Sequence, residues 1–290
     1  MSPIISRAGF SLGFGRRRGG VAAVPFSATG GNQTPNAGLA PGNGYKYHTF
    51  TSPGTFSVSF APATATVELL LVGGGSAGAT GAGGAGGLIF RTSIPVTTVS
   101  PYPITVGSGG VMPSTYHNDG PNYLGGPSTA LGFTAVTGGW GGAHTFNGTF
   151  VSGGPGASGG GGAPLNGGGA PYPGGPGTGG AGGTPGSVSP PVGWGNPGAP
   201  TQGGNAGPGG GGGGAGGAST SAAGGSGLAY PNFTGPLIGV PSLPGTYAVG
   251  GSAASPGVGA VSNTGNGGAG DNPQPLSSGG SGIVVIRYLV

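Results

Sequence analysis

The chain has 290 residues, of which 81 are glycine and 30 proline, with seven Lys or Arg, three Asp or Glu and no cysteine. Three carboxylates leave little for acid–base catalysis, the lack of cysteine excludes disulfides and thiolate metal sites, and so low a charge cannot hold a chain apart as in an ordinary disordered protein. Four of the seven cations, Arg7, Arg16, Arg17 and Arg18, precede Gly19, so the isoelectric point near 9.6 describes one segment and the remainder is close to neutral.

In chain order, Met1 to Arg18 reads as a basic anchor peptide in which Ile4, Ile5, Phe10, Leu12 and Phe14 alternate with small residues. Its charges follow the apolar part and no apolar run reaches signal-peptide length, so the chain is expected to be soluble and made in a cytoplasm. Such a tail can dock on a partner, solubilise the protein or touch nucleic acid. No basic body or stacking platform supports the last, so no nucleic-acid partner is expected. Docking would use Arg7, Phe10, Phe14, Arg16, Arg17 and Arg18. Residues 19–44, rich in Gly, Ala, Asn and Pro without period, read as a flexible linker.

From Tyr45 the chemistry becomes that of strands. YKYHTFTSPGTFSVSF has Pro53-Gly54 between two aromatic segments, with Phe56, Val58 and Phe60 alternating with small polar residues, and predicts a β-hairpin. TATVELLLV, LIFRTSIPVTTV, PITVG and the terminal SGIVVIRYLV predict further strands. No apolar run approaches the roughly 20 residues that span a bilayer, so no membrane span is expected. The terminal strand must pair with something, and the strands of residues 45–106 are its natural partners, which would bring both ends of the intervening glycine region together.

That region carries a period. At every third position from Gly153 to Gly216, 17 of 22 residues are glycine, where about ten would fall in any one phase by chance. Three residues per turn is the repeat of the polyproline II type of helix, whose crowded axis admits only glycine. Breaks at Leu165, Pro171, Ser189, Val192 and Thr201 argue against a long triple helix and for short helices that turn back and pack side by side. Their backbone groups would bond between helices, as buried N–H and C=O groups must. The expected fold is therefore mainly β with no α-helix: a small β-domain clamping a large insertion of packed polyglycine II helices. Residues 45–290 form one domain, with strands over about 45–106 and 281–290 and helices over about 107–280.

Motifs for chemistry are sparse. Gly73, Gly75 and Gly78 fit G-x-G-x-x-G after a strand, but no helix can follow in ATGAGGAGG and no acidic residue stands about 20 positions on, so the match is an accident of composition. His117 and Asp119 lack further ligands for a metal, and TYHNDG reads as a polar loop. No catalytic, metal or cofactor site is expected. Aromatic residues and histidines occur singly where turns between glycine helices would fall: Tyr116, His117, Tyr123, Trp140, His144, Phe146, Tyr172, Trp194, Tyr230 and Phe233. Amphipathic rings on small-residue loops suit recognition of sugar faces, and they equally suit capping of helix ends. Both readings stand, with Trp140 and Trp194 the residues to test.

The succession of a Y-x-Y-x-x-F-T-x-P-G-T-F hairpin, LLLVGGGSAG, GAGGAGGL, YPITVGSGG, TQGGNAGPGGGGGGAGG, YAVGG and GSGIVVIRY resembles the glycine-rich domain of tailed-bacteriophage tail-fibre and related appendage proteins, over about Tyr45 to Tyr288. The resemblance implies a non-enzymatic virion structural protein, displayed on the virion surface and made in the host cytoplasm. It implies packed polyglycine II helices with loop tips that meet the host. Expected partners are capsid or tail proteins through residues 1–44, a bacterial surface glycan at the aromatic loops, and further copies of the chain, as a trimer. The alternative is a purely structural decoration or cement protein without receptor binding. A cell-wall glycine-rich protein fits less well, because an export signal and longer regular repeats are missing.

Overall fold

The computed structural model of the chain describes residues 26–33, 35–99, 101–111, 123–144, 150–163, 174–180, 183–201, 208–254, 260–270 and 277–290. Its long strands are β2 (Tyr45–Phe50), β3 (Gly54–Phe60), β4 (Thr66–Val72), β5 (Leu88–Pro95) and β13 (Ile283–Leu289). Shorter ones are β1 (Ser27–Thr29), β6 (Tyr102–Ile104), β7 (Ser128–Ala130), β8 (Phe133–Ala135), β9 (Ala143–His144), β10 (Phe150–Val151), β11 (Leu228–Ala229) and β12 (Thr246–Tyr247). The fold is mainly β. Its helical content among the described residues is a 3₁₀ turn, Pro231–Phe233, and the single turn α1, Gly235–Ile238.

The continuously apolar strands β4 and β13 occupy the middle of an antiparallel sheet ordered β2-β13-β4-β5, with Val284 opposite both Phe50 and Leu71. Such runs suit strands covered on both faces. One face packs on the sheet β1-β3-β6 and buries Phe50, Phe56, Leu69, Leu71 and Ile89 between the layers. The other packs on residues 228–247 and buries Leu70, Val72, Phe90 and Val285 against Tyr230, Phe233 and Tyr247. The C-terminal strand thus pairs with strands from residues 45–72 on both sides, as its apolar character requires.

Two expectations are corrected here. β2 and β3 are not a hairpin: β2 pairs with β13, and β3 pairs with β1 and β6. Residues 51–53 carry the chain from one layer to the other, so that Phe50 and Phe56, both fully buried, lie in the one core between the sheets. A hairpin would have left both segments in a single layer. The linker is corrected in its described part. β1 pairs with β3, Leu39 exchanges backbone bonds with Tyr47 at 2.9 and 2.8 Å, and Asn32 Oδ1 accepts from the Thr51 and Ser52 amides at 2.8 Å. Single residues make these contacts, so no period announces them.

In the glycine region the backbone bonds recur every third residue. Gly73 and Ser76 donate to the carbonyls of Gly87 and Gly84, Gly74 and Ala77 to those of Gly126 and Tyr123, and Gly75 and Gly78 to those of Gly280 and Ser277. Along 81–87 the rule repeats. Gly81, Gly84 and Gly87 donate to Gly142, Gly139 and Val136; Ala82 and Ala85 to Gly210 and Gly213; Gly83 and Gly86 to Gly268 and Gly265. Carbonyls of the same segment accept from Gly161 and Ser158, from Ser76 and Gly73, and from Gly251. Residues 81–87 therefore donate to three neighbouring segments and accept from three others, which is the six-neighbour packing of a three-fold helix with polar groups pointing outward at about 120° intervals. The lattice begins at Gly73, well before the expected 107, and 81–87 runs through its middle.

The sheet sets the register of this lattice. The β4–β5 pairing of Val72 with Leu88 continues without slip into Gly73–Gly87 and Ser76–Gly84, and the β4–β13 pairing of Val72 with Ile283 continues into Gly75–Gly280 and Gly78–Ser277. Only the spacing of the bonds changes, from the alternation of a ladder to one in three. Glycine is required sterically: a Cβ on Gly83 would lie 2.1 Å from the Ser76 carbonyl oxygen, and one on Gly161 would lie 1.8 Å from that of Gly210.

A Gly83→Ala substitution is expected to cost about 2–3 kcal/mol, at the upper end for overpacking because the obstacle is backbone, and to lower Tm by about 5 °C or more. Gly217→Ala, whose Cβ would meet only the Ser226 hydroxyl, is expected to change Tm little. Thermal unfolding of the two variants beside the parent decides the point.

Candidate functional site

The strands give the molecule two ends. β4 runs from Thr66 into the lattice at Gly73, and β13 leaves the lattice and runs to Leu289, which faces Tyr45. Ser27 faces Phe60, and Phe26 packs on Tyr288 with ring centroids 4.0 Å apart. Phe26, Tyr45, Phe60, Thr66 and Val290 thus mark a base, and the Ala79–Ala82 turn marks the far end of the lattice.

Residues flanking the stretches 112–122, 145–149, 164–173, 202–207, 255–259 and 271–276 all lie toward that far end. The Tyr123 carbonyl accepts from Ala77, Gly142 pairs with Gly81, and Gly161 pairs with Ala82. A Cβ on Gly209 would meet the Thr80 carbonyl at 2.2 Å, Gly251 donates to Gly83, Gly270 abuts Gly81, and Ser277 pairs with Gly78. Tyr116 and His117, Phe146, and Tyr172 belong to three of these stretches and, with Arg7, Phe10, Phe14, Arg16, Arg17 and Arg18, lie outside the described residues. His144 lies in β9, opposite Phe150, beyond Gly142 on the same side. The flanks of stretches far apart in sequence therefore meet at one end.

Other members of the expected set sit elsewhere. Tyr123, Tyr230 and Phe233 are buried, at 0–1% exposure, and cannot offer a surface contact. Tyr230 packs against Phe90 at 5.2 Å and donates its hydroxyl to the Ser187 carbonyl at 3.1 Å. Burial raises the Tyr230 phenol, and the Trp194 indole beside it works the other way. Trp194 is half-buried at the side of the sheet, exchanging backbone bonds with Leu88 and packing on the core of residues 228–247. These four are packing residues, and Tyr230, Phe233 and Trp194 belong to the apolar layer on the sheet. Trp140 lies in the far half of the lattice, half-buried, its ring so flat on the backbone that a Cβ on Gly154 would lie 2.0 Å from it. Its buried Nε1 has no hydrogen-bond partner among the described residues.

The base has its own chemistry, which single-residue sequence reading missed. Arg287 Nε donates to Glu68 Oε2 at 2.7 Å and Nη1 donates to the Tyr47 hydroxyl at 3.2 Å, while the guanidinium lies 4.1 Å from the Tyr45 ring centre and 4.6 Å from that of Phe233. Burial works against this cation, and its bonds to Tyr47 and Glu68 outweigh that and hold its pKa above the ordinary value. His48 is buried on the opposite face of the same sheet, in the sandwich core against Phe56 and Tyr288. Its Nδ1–H donates to the Gly30 carbonyl at 2.9 Å, leaving Nε2 to accept from the Tyr288 hydroxyl at 3.3 Å. Burial pushes His48 below its usual pKa, the Gly30 bond opposes this, and Lys46 adds to the lowering. Burial likewise pushes the Tyr288 phenol up to about 12, against the pull of the Ala28 amide. Among the described residues no three His, Asp or Glu side chains stand close enough to share a metal ion, and no helix is long and apolar enough to cross a membrane.

A β-sandwich base extended into a polyglycine II lattice is thus the architecture, and residues 51–289 match the family described as the glycine-rich domain. The chain belongs to that family. No curated protein matches the chain.

The neutral His48 makes stability depend on pH. Its folded pKa lies below the unfolded value of about 6.5, so its contribution is present above that value and lost as pH falls through the folded one. Tm is expected to drop between pH 7 and pH 5, and to drop less in His48→Gln, which cannot charge. Equal slopes in scanning calorimetry of both proteins would exclude His48 as the group responsible.

Proposed function

We propose that the protein is a non-enzymatic structural component of a bacteriophage virion: a short fibre or fibre-tip appendage held at its base and contributing to adsorption on the host surface. The observation that carries this reading is the polarity of the fold. Residues 1–25, with Arg7, Phe10, Phe14 and Arg16–Arg18, join the body at Phe26 on the base, while the stretches bearing Tyr116, His117, Phe146 and Tyr172 join it at the opposite end. The lattice between them has its N–H groups bonded across neighbouring segments, and such a body transmits position where a flexible spacer would not. The tail-fibre resemblance of the block order supports the same reading, and the family match supports its glycine-rich body alone. In it, residues 1–44 meet capsid or tail protein, the far end meets a surface glycan through aromatic rings, self-association as a trimer multiplies weak contacts, and the site of action is the virion surface.

Full-length labelled protein is expected to adsorb saturably to bacteria within a panel of differing surface glycans. Changing Tyr116, His117, Phe146 and Tyr172 together to Ser is expected to weaken adsorption tenfold or more, with Tm unchanged. Retained adsorption in that variant sinks the far-end assignment, and absence of adsorption across the panel assigns the protein to a decoration or cement role instead.

A further inference from the structure

The base carries a cleft of about 670 Å³ that the far-end function does not use. Its walls are largely apolar, with Phe26, Pro62, Ala65, Val67, Leu289 and Val290 among them. Leu289 and Val290 are each 68% exposed, an unusual state for two adjacent large apolar residues that continue a core strand. Apolar surface of this kind is stabilised by covering it, at about 25 cal/mol per Å².

Three observations say what covers it. Phe26, where the first 25 residues join the described chain, is itself part of the wall. Those residues begin with an apolar stretch, Ile4, Ile5, Phe10, Leu12 and Phe14, that has Arg7 as its only charge. Phe14 stands twelve positions before Phe26, and a chain of that length reaches up to about 40 Å, ample to return to a cleft that starts at Phe26. The third observation is charge. In the Glu68–Arg287 pair the guanidinium is 6% exposed and the carboxylate 23%, so the part of the pair that is open to the cleft is negative. Lys46, on the rim, is the cation there and disfavours the Arg16–Arg18 run. The apolar stretch with its single Arg7 fits the cleft, and the arginine run does not.

We propose that the cleft is the seat of residues 4–14 of the same chain, with Phe10 and Phe14 inserted among its apolar walls and Arg7 beside Glu68. Seated there, the apolar part of the segment is covered while Arg16–Arg18 stay outside, and the segment is free to grip a partner only after leaving the cleft. The proposal stands independently of the virion assignment.

The absence of cysteine makes a clean test. A nitroxide attached at Ala8→Cys in the full-length protein is expected to broaden the methyl signals of Ala65, Val67, Leu289 and Val290 at least fivefold more than those of Val136 and Val261. The same label with Phe10→Asp and Phe14→Asp is expected to lose that contrast. Uniform broadening, or none, overturns the proposal. So does broadening that appears only when labelled and isotope-enriched chains are mixed, which would place the segment on a second copy.

Discussion

The hydrogen-bonding demand of buried backbone governs this structure. A glycine segment has no side chains to bury, so ordering it removes N–H and C=O groups from water with nothing apolar in return, and each unmet group costs about 1–3 kcal/mol. The three-fold helix meets that demand because successive groups point in three directions and find a neighbour in each, as along residues 81–87. Neighbours come this close only where no Cβ intervenes, and Gly161 against the Gly210 carbonyl shows how little space is left. Close packing, backbone bonding and glycine content are one constraint seen from three sides.

Such a lattice has no oily core to choose among its many registers, and the β-sandwich makes the choice. β4, β5 and β13 enter the lattice with their pairings intact, so Gly73–Gly87 and Gly75–Gly280 inherit their alignment from Val72–Leu88 and Val72–Ile283. The sheet itself is secured on both faces, by the β1-β3-β6 layer and by residues 228–247. Arg287 and Glu68 then join β13 to β4 near the base, where the aromatic rings of Tyr45 and Phe233 shield the guanidinium. The oily part of the protein is small, and it determines how the large glycine part is aligned.

Polarity follows from that construction. Described segments of the lattice that leave the sheet run to the far end, so the flanks of the stretches that connect them gather there, whatever their separation along the chain. The joining point of residues 1–25 is fixed at the base by β1 and by Phe26 on Tyr288. The bonded lattice thus sets the joining point of residues 1–25 and the flanks of those stretches at opposite ends of one body.

Much of this was legible in the chain. The alternation of Phe56, Val58 and Phe60, the continuous run of β4 and the terminal IVVIRYL announced strands, and the glycine phase announced three-fold helices, because strand and helix periods are local properties of the backbone. The Phe50–Phe56 layer change, the β1 pairing and the burial of Tyr123, Tyr230 and Phe233 were not legible. Each depends on a partner far away in sequence that no local period encodes. For the aromatic residues the relevant signal was the glycine-poor apolar stretch around Leu237, Ile238, Val240 and Leu243, which marks a second core layer and not a loop. Sequence alone thus determined the long strands from Tyr45 onward and at the C-terminus, and the presence of three-fold helices between them. Tertiary structure alone decided which segments touch and which residues reach an end of the molecule, because glycine backbones bond equally well to any neighbour and only the register set by the sheet distinguishes them.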